Sequence, residues 1–110
     1  MISKKSRLNR SEIEEIKLSP LKHQEGGLLI LYQKNQLNYP KIAVVVSKKI
    51  NKLAVQRNLI KRNIIDIVSL EIKKYPHSSF SLIIYPSQKY LQLSPEEKEK
   101  TFTNIFKSIC

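Results

Sequence analysis

Apolar residues fall along this chain in two rhythms. Short runs stand at Leu28–Tyr32 (LLILY), Ile42–Val46 (IAVVV) and Phe80–Tyr85 (FSLIIY). Their bulky and β-branched content predicts three strands. Between the last two, apolar positions return with a helical period, from Lys52 or Leu53 to about Tyr75, where Pro76 stops the helix. With Arg57 set at 0° and about 100° per residue, Lys61 lies at about 40°, Asn58 at about 100° and Arg62 at about 140°. Leu53, Ile60, Ile64, Ile67 and Val68 cluster between about 280° and 20°, a core stripe beside a basic one. Two further helices are predicted at the ends. Ser11 precedes Glu14 at capping-box spacing, with Ile13 and Ile16 as a short apolar edge before Pro20. Ser94-Pro95-Glu96-Glu97 offers an N-cap, a proline at the first helical position and Glu at N3. Phe102, Ile105, Phe106 and Ile109 then recur at i, i+3, i+4 and i+7, a face for packing on a sheet.

The connection Gln33–Asn38 is short and carries two turn formers, Asn35 and Asn38. Ile42–Val46 should therefore run antiparallel to Leu28–Tyr32. Its near-continuous apolar run predicts a central strand. Joined through the helix to Phe80–Tyr85, it makes a β-α-β unit within one sheet. Leu21–Gly27 reads as a loop or weak strand, with His23 as a surface residue.

Composition turns this fold toward a partner. The chain has 110 residues and a formal net charge of +11. That length holds one domain, residues 1–110, with a basic and flexible stretch at 1–10. No Asp or Glu occurs from Gly26 to Ile65, while Lys34, Lys41, Lys48, Lys49, Lys52, Arg57, Lys61 and Arg62 all fall inside. A surface this one-sided suits a polyanion. Cys110 is the lone cysteine, so neither an internal disulfide nor a zinc site is expected, and a reducing cytoplasm is the natural compartment. No signal-peptide pattern is present, and no apolar run approaches the roughly 18 residues of a membrane span.

Self-contained catalysis finds little support. Gly26 and Gly27 are the only glycines, so there is no glycine-rich phosphate loop. Glu96, Glu97 and Glu99 are grouped, but in the first turn of a predicted helix, where acids favour the macrodipole. No histidine–carboxylate–nucleophile set emerges from the spacing. The polypeptide reads as a binder.

Two motifs make the reading specific. Val46-Ser47-Lys48-Lys49, followed by Ala54-Val55-Gln56-Arg57-Asn58-Leu59-Ile60-Lys61-Arg62, resembles the signature of the protein subunit of bacterial ribonuclease P. Weaker likeness extends over nearly the whole chain: Lys5–Leu8 as the basic K-x-R-L start, Leu29–Tyr32 as an apolar strand ending in Tyr, then Phe80–Tyr85 and the last helix in order. The resemblance implies an α+β fold, an α-β-β-β-α-β-α two-layer sandwich with a single central sheet and a left-handed β-α-β crossover. It implies a ribonucleoprotein endoribonuclease that removes the 5′ leader from precursor tRNA. Catalysis then belongs to the RNA subunit with bound Mg²⁺, and the polypeptide supplies no catalytic residue. It implies one protein per catalytic RNA, no membrane, and cytoplasmic work. By position, Lys48, Lys49, Lys52, Arg57, Asn58, Lys61 and Arg62 form the RNA-binding surface, and Tyr32, Lys41, Val45 and Lys48 the leader cleft. Stacking of a leader base is one reading of Tyr32, and plain sheet packing is the other.

The chain departs from the family pattern in three places. Leu59 stands where the second arginine of R-N-R is usual, Ile65-Asp66 where Arg-Glu or Arg-Gln is common, and Ile13, Ile16 and Leu18 where phenylalanines line the cleft. The competing reading is a basic RNA-binding protein of another particle, ribosomal or assembly-related, with no nuclease role. A sequence-specific DNA binder is a remote third, since no helix-turn-helix is recognisable.

Overall fold

In the computed structural model the described residues are 4–109; residues 1–3 and Cys110 lie outside them. The elements are α1 (Arg10–Leu18), β1 (Leu21–Glu25), β2 (Leu28–Lys34), β3 (Lys41–Val44), α2 (Ala54–Ile72), β4 (Phe80–Pro86), α3 (Gln88–Leu91) and α4 (Pro95–Ile109), after a 3-10 turn at Lys4–Ser6. The expected α-β-β-β-α-β-α order holds, with α3 as one extra helical turn. The helix expected to reach Tyr75 ends regular hydrogen bonding at Ile72 and closes through turns at Lys74 and Tyr75.

The four strands form one sheet in the order β1-β2-β4-β3. β2 is antiparallel to β4, and β3 is parallel to β4. β3 therefore runs opposite to β2, as expected, yet the two do not pair. β4 lies between them. The reason is visible in burial. Leu82, Ile83 and Ile84 are all fully buried, the pattern of a strand covered on both faces. In β3 only Ile42 and Val44 are buried, in alternation with the half-buried Lys41 and Ala43. The strand expected to be central is thus near the edge. Its outer side is taken by the N-terminal segment: Arg7 bridges Ile42, and the Leu8 N–H donates to the Ile42 carbonyl at 3.0 Å. Of the stretch expected to be flexible, residues 1–3 lie outside the described residues and Arg7 and Leu8 are fastened to β3.

Leu21–Gly27 resolves as a strand and its turn. β1 pairs antiparallel with β2 through a tight Gly26-Gly27 turn at positive φ. Any Cβ on Gly27 would come within 2.5 Å of the Tyr90 backbone nitrogen, so only glycine fits.

One face of the sheet builds the core. Leu28, Ile30, Ile42, Val44, Leu82 and Ile84 meet Ile64 and Val68 of α2 and Phe102, Ile105, Phe106 and Ile109 of α4. Leu53, expected in that stripe, is 64% exposed because it precedes the helix as its N-cap. α4 starts as expected: Ser94 Oγ accepts from the Glu97 N–H, and Glu97 Oε1 accepts from the Ser94 N–H. α1 lies against the other face, where Ile16 is buried. Its capping box is Asn9/Glu12 rather than Ser11/Glu14. Asparagine is as good an N-cap as serine, and the same i, i+3 spacing two residues earlier starts the helix first.

Candidate nucleic-acid interface

The loop from Ser47 to Leu53 carries three lysines and is held by hydrogen bonds. The Ile50 N–H donates to the Ser47 carbonyl at 3.1 Å, and Asn51 Oδ1 accepts from the Leu53 N–H at 3.0 Å. Gln88 Nε2 donates to the Ile50 carbonyl at 2.7 Å. The strongest fastening comes from Arg57, whose Nη1 donates to the carbonyls of Asn51 at 3.0 Å and Lys52 at 2.8 Å. Arg57 is half-buried by this, so it locks the loop onto the first turn of α2 and presents only part of its guanidinium.

Around that clamp the cations are free. Lys48, Lys49, Lys52, Lys61 and Arg62 are exposed, as is Asn58. Among the described residues none of these five cations, nor Arg57, makes an ion pair. The face is interrupted where the sequence lacks arginine. Leu59 is 46% exposed and lies with Val55 beside Asn58 and Arg62, an apolar patch within the basic surface.

Lys61 also faces a groove. A cavity of about 360 Å³ is lined by Arg7 and Leu8 before α1, Ile13 of α1, the β3 strand through Val45, and Lys61 and Ile65 of α2. Its floor is apolar and its rim is cationic. Ile65, which falls in the basic stripe of the helix, supplies part of that floor.

The four residues expected in a leader cleft are not brought together. Val45 lines this groove. Lys48 is exposed on the loop beyond it. Lys41 is engaged with α1, its Nζ 2.6 Å from Glu12 Oε2. That hydrogen bond, helped by the backbone of Asn9, holds the Glu12 carboxyl below its ordinary value against a smaller desolvation cost. Tyr32 is on the opposite face of the sheet. It is paired with Leu82, shares the parity of Leu28 and Ile30, and meets Phe80 edge-on at 6.0 Å. The period-two alternation of β2 carries that assignment in the sequence. Apart from Ile13 and Val45, the groove residues were not assigned to a cleft by sequence reasoning, among them Arg7, Lys61 and Ile65. Only the helical wheel hinted at two of them, because Ile65 falls at about 80° beside Lys61 at about 40°.

A family model described as Ribonuclease P matches residues 2–110. This chain belongs to the ribonuclease P protein family. The ribonuclease P protein component of Mesoplasma florum is 30% identical over 105 residues, covering 96% of this chain and 94% of that one. The same component from Idiomarina loihiensis is 31% identical over 91 residues, covering 83% and 71%. Among solved structures, the ribonuclease P protein of Thermotoga maritima superposes with a TM-score of 0.81 at 23% identity, covering 94% of this chain and 97% of that one. The ribonuclease P protein of Staphylococcus aureus does so with a TM-score of 0.77 at 18% identity, covering 94% of each. These two likenesses concern the fold. As a ribonuclease P protein the chain works within a ribonucleoprotein whose partners are the ribonuclease P RNA and precursor tRNA, an endoribonuclease of tRNA 5′ maturation. No helix among the described residues is long and apolar enough to cross a membrane.

Proposed function

We propose that the exposed cations of the Ser47–Leu53 loop and of α2 dock this protein, one copy per RNA, onto the catalytic RNA of ribonuclease P. The adjoining groove holds the single-stranded 5′ leader of the precursor. The observation that carries the reading is the double position of Lys61, which belongs both to the free basic face and to the groove wall. Lys48, Lys49, Lys52 and Arg62 neutralise phosphates of the folded RNA, and each such contact releases counterions. Asn58 adds a polar contact beside Arg62. The apolar floor of Ile13, Val45 and Ile65 takes unstacked bases without selecting a sequence. Lys41 acts as a positioning residue: through Glu12 it holds α1 as one wall of the groove. Tyr32 supports the sheet from the other side.

The Mg²⁺ that the resemblance implies is assigned to the RNA. Among the described residues no group of three or more His, Cys, Asp or Glu stands close enough to hold a metal ion, so no step of this reading runs through a protein-held metal. The protein contributes affinity and alignment, in the cytoplasm where tRNA precursors arise.

The test is single-turnover cleavage of a precursor tRNA at low Mg²⁺ by the cognate RNA, with and without this protein. Stimulation that grows with leader length is the expected result. RNA binding without any stimulation would reject the subunit role.

A further inference from the structure

α2 and α4 leave a notch between them, on the flank of α2 turned from the groove. With Arg57 at 0°, Leu70 falls at about 220°, Lys74 at about 260°, Ile67 at about 280° and Glu71 at about 320°. Lys61 and Ile65, which line the groove, fall at about 40° and 80°. The four notch residues, with Glu99 and Thr103 of α4, line a cavity of about 380 Å³.

Glu71 is the residue its surroundings leave incomplete. It is only 5% exposed. Its Oε1 accepts from Thr103 Oγ1 at 2.8 Å and from Lys74 Nζ at 3.2 Å. Its Oε2 is buried and meets no donor among the described residues. A buried carboxylate oxygen without a donor is costly, so a donor brought from outside gains by meeting it. Lys74 does not fill that need, because its ammonium is a point charge already spent on Oε1, on a flexible side chain that is 59% exposed. Glu99 is exposed and makes no ion pair among the described residues. Two carboxylates and one ammonium leave one negative charge uncompensated in the notch. The rest of its wall is apolar, with Ile67 half-buried and Leu70 exposed. A divalent metal would be repelled by Lys74 and would face that apolar wall with its hydration shell. An alkylguanidinium is monovalent, forks onto both oxygens of one carboxylate and lays its methylenes on apolar side chains.

We propose that the notch between α2 and α4 receives an arginine side chain of a partner polypeptide. Its guanidinium forks onto Glu71, and Lys74 swings out to solvent. The terminal torsion of a glutamate is broad, so the carboxylate can turn both oxygens to the fork once Lys74 has left. Ile67 covers the arginine stem. Leu70 leaves apolar surface in water that a neighbouring side chain of the same polypeptide can cover, which a free guanidinium cannot do. The site stands apart from the cations assigned to RNA and is independent of that reading.

The experiment follows the Ile67 and Leu70 methyl resonances of the full chain by NMR while three probes are titrated in: the end-blocked peptides Leu-Arg-Leu and Leu-Lys-Leu, and agmatine as a free guanidinium. The wild type is compared with Lys74→Ala, Leu70→Ser and Glu71→Gln, each first checked for an unchanged thermal transition. The arginine peptide should shift both methyls saturably and bind about tenfold tighter than the lysine peptide. Lys74→Ala should tighten it severalfold by removing the competing ammonium, and Glu71→Gln should weaken it about tenfold. Leu70→Ser, followed at Ile67, should bring the arginine peptide down to the affinity of agmatine. Absence of a saturable shift in both wild type and Lys74→Ala overturns the site. Equal affinity for the arginine and lysine peptides overturns the fork, and agmatine binding as tightly as the arginine peptide overturns the polypeptide source. Should Glu71→Gln fail to fold, Lys74→Ala decides, and binding there that is unchanged or weaker overturns the proposal.

Discussion

Glu12 and Lys41 join α1 to β3 through a single carboxylate with two tasks. Oε1 accepts from the Asn9 N–H at 3.0 Å and caps the helix, while Oε2 takes the Lys41 ammonium at 2.6 Å. Lys41 is only 14% exposed, so its ammonium faces α1 rather than solvent.

That relationship makes the wall sensitive to acid. The Glu12 carboxyl titrates below its ordinary value of 4.5 in the folded protein, chiefly through Lys41. A carboxylate with a depressed pKa stabilises the fold above its unfolded pKa and loses that contribution as pH falls through the folded value. The protection of the α1 amides, taken relative to the intrinsic exchange rate at each pH, should therefore fall below about pH 4.5 before that of the sheet does. In Glu12→Gln the same helix should exchange faster at neutral pH and show a weaker acid dependence. Hydrogen exchange followed by NMR checks both.

Arg57 should behave as a clamp more than as a phosphate contact. Arg57→Lys keeps the charge but loses the fork onto the Asn51 and Lys52 carbonyls. RNA affinity should fall because Lys48, Lys49 and Lys52 lose their common position, while the slope of log K against log salt changes little. Arg57→Ala should also cost about 1 kcal/mol of stability. Salt titrations of binding, paired with denaturant melts, separate the two effects.

Lys61 and Arg62 should behave in the opposite way. Both are exposed and free of ion pairs among the described residues, so their removal should leave stability within about 0.5 kcal/mol. Removing one cation that neutralises a phosphate should reduce the salt slope by roughly 0.7 to 0.9. Binding isotherms of Lys61→Ala and Arg62→Ala at several salt concentrations test this. An unchanged slope in both would remove this helix face from the RNA interface.

Tyr32→Ala should be a stability variant. The ring is edge-on to Phe80 at 6.0 Å and half-buried against the core, so its loss should cost about 2 kcal/mol. The dependence of affinity on leader length should survive. A selective loss of leader affinity, with the melting transition unchanged, would return Tyr32 to the RNA surface.

Much of the fold was legible because local signals agreed with the tertiary outcome. The Ser94/Glu97 cap, the Pro76 stop and the i, i+3, i+4, i+7 repeat of α4 each depend on residues near one another. What was not legible depends on partners far along the chain. Ile42–Val46 reads as central from its own residues, yet which strand lies between β2 and β3 is decided by β4, whose Leu82-Ile83-Ile84 run is apolar on both faces. The β1 strand was obscured because its sequence, Leu-Lys-His-Gln-Glu, has no apolar alternation and is held by backbone pairing beside a glycine turn. At the candidate interface, the exposed position of the α2 cations Lys61 and Arg62 was legible from charge and spacing. The groove was not, because Arg7, Ile13, Val45 and Ile65 come from four separate segments and only the assembled sheet edge brings them together.

The strand order has a consequence for how the protein comes into being. β2 and β3 share no hydrogen bonds and are bridged only by β4, which is the last strand in the sequence. A nascent chain that has already presented every cation of α2 still lacks the strand against which that helix is laid. Its early hairpin of β1 and β2 is too small to be stable alone. Emergence of β4, followed by α4 with its core residues, should therefore act as a threshold in synthesis, beyond which sheet, helix face and groove appear together. Before it the chain should be a basic polymer without a sheet, drawn to RNA by charge alone. Discrimination among RNAs should then wait on residues 80–109, none of which belongs to the basic face of α2.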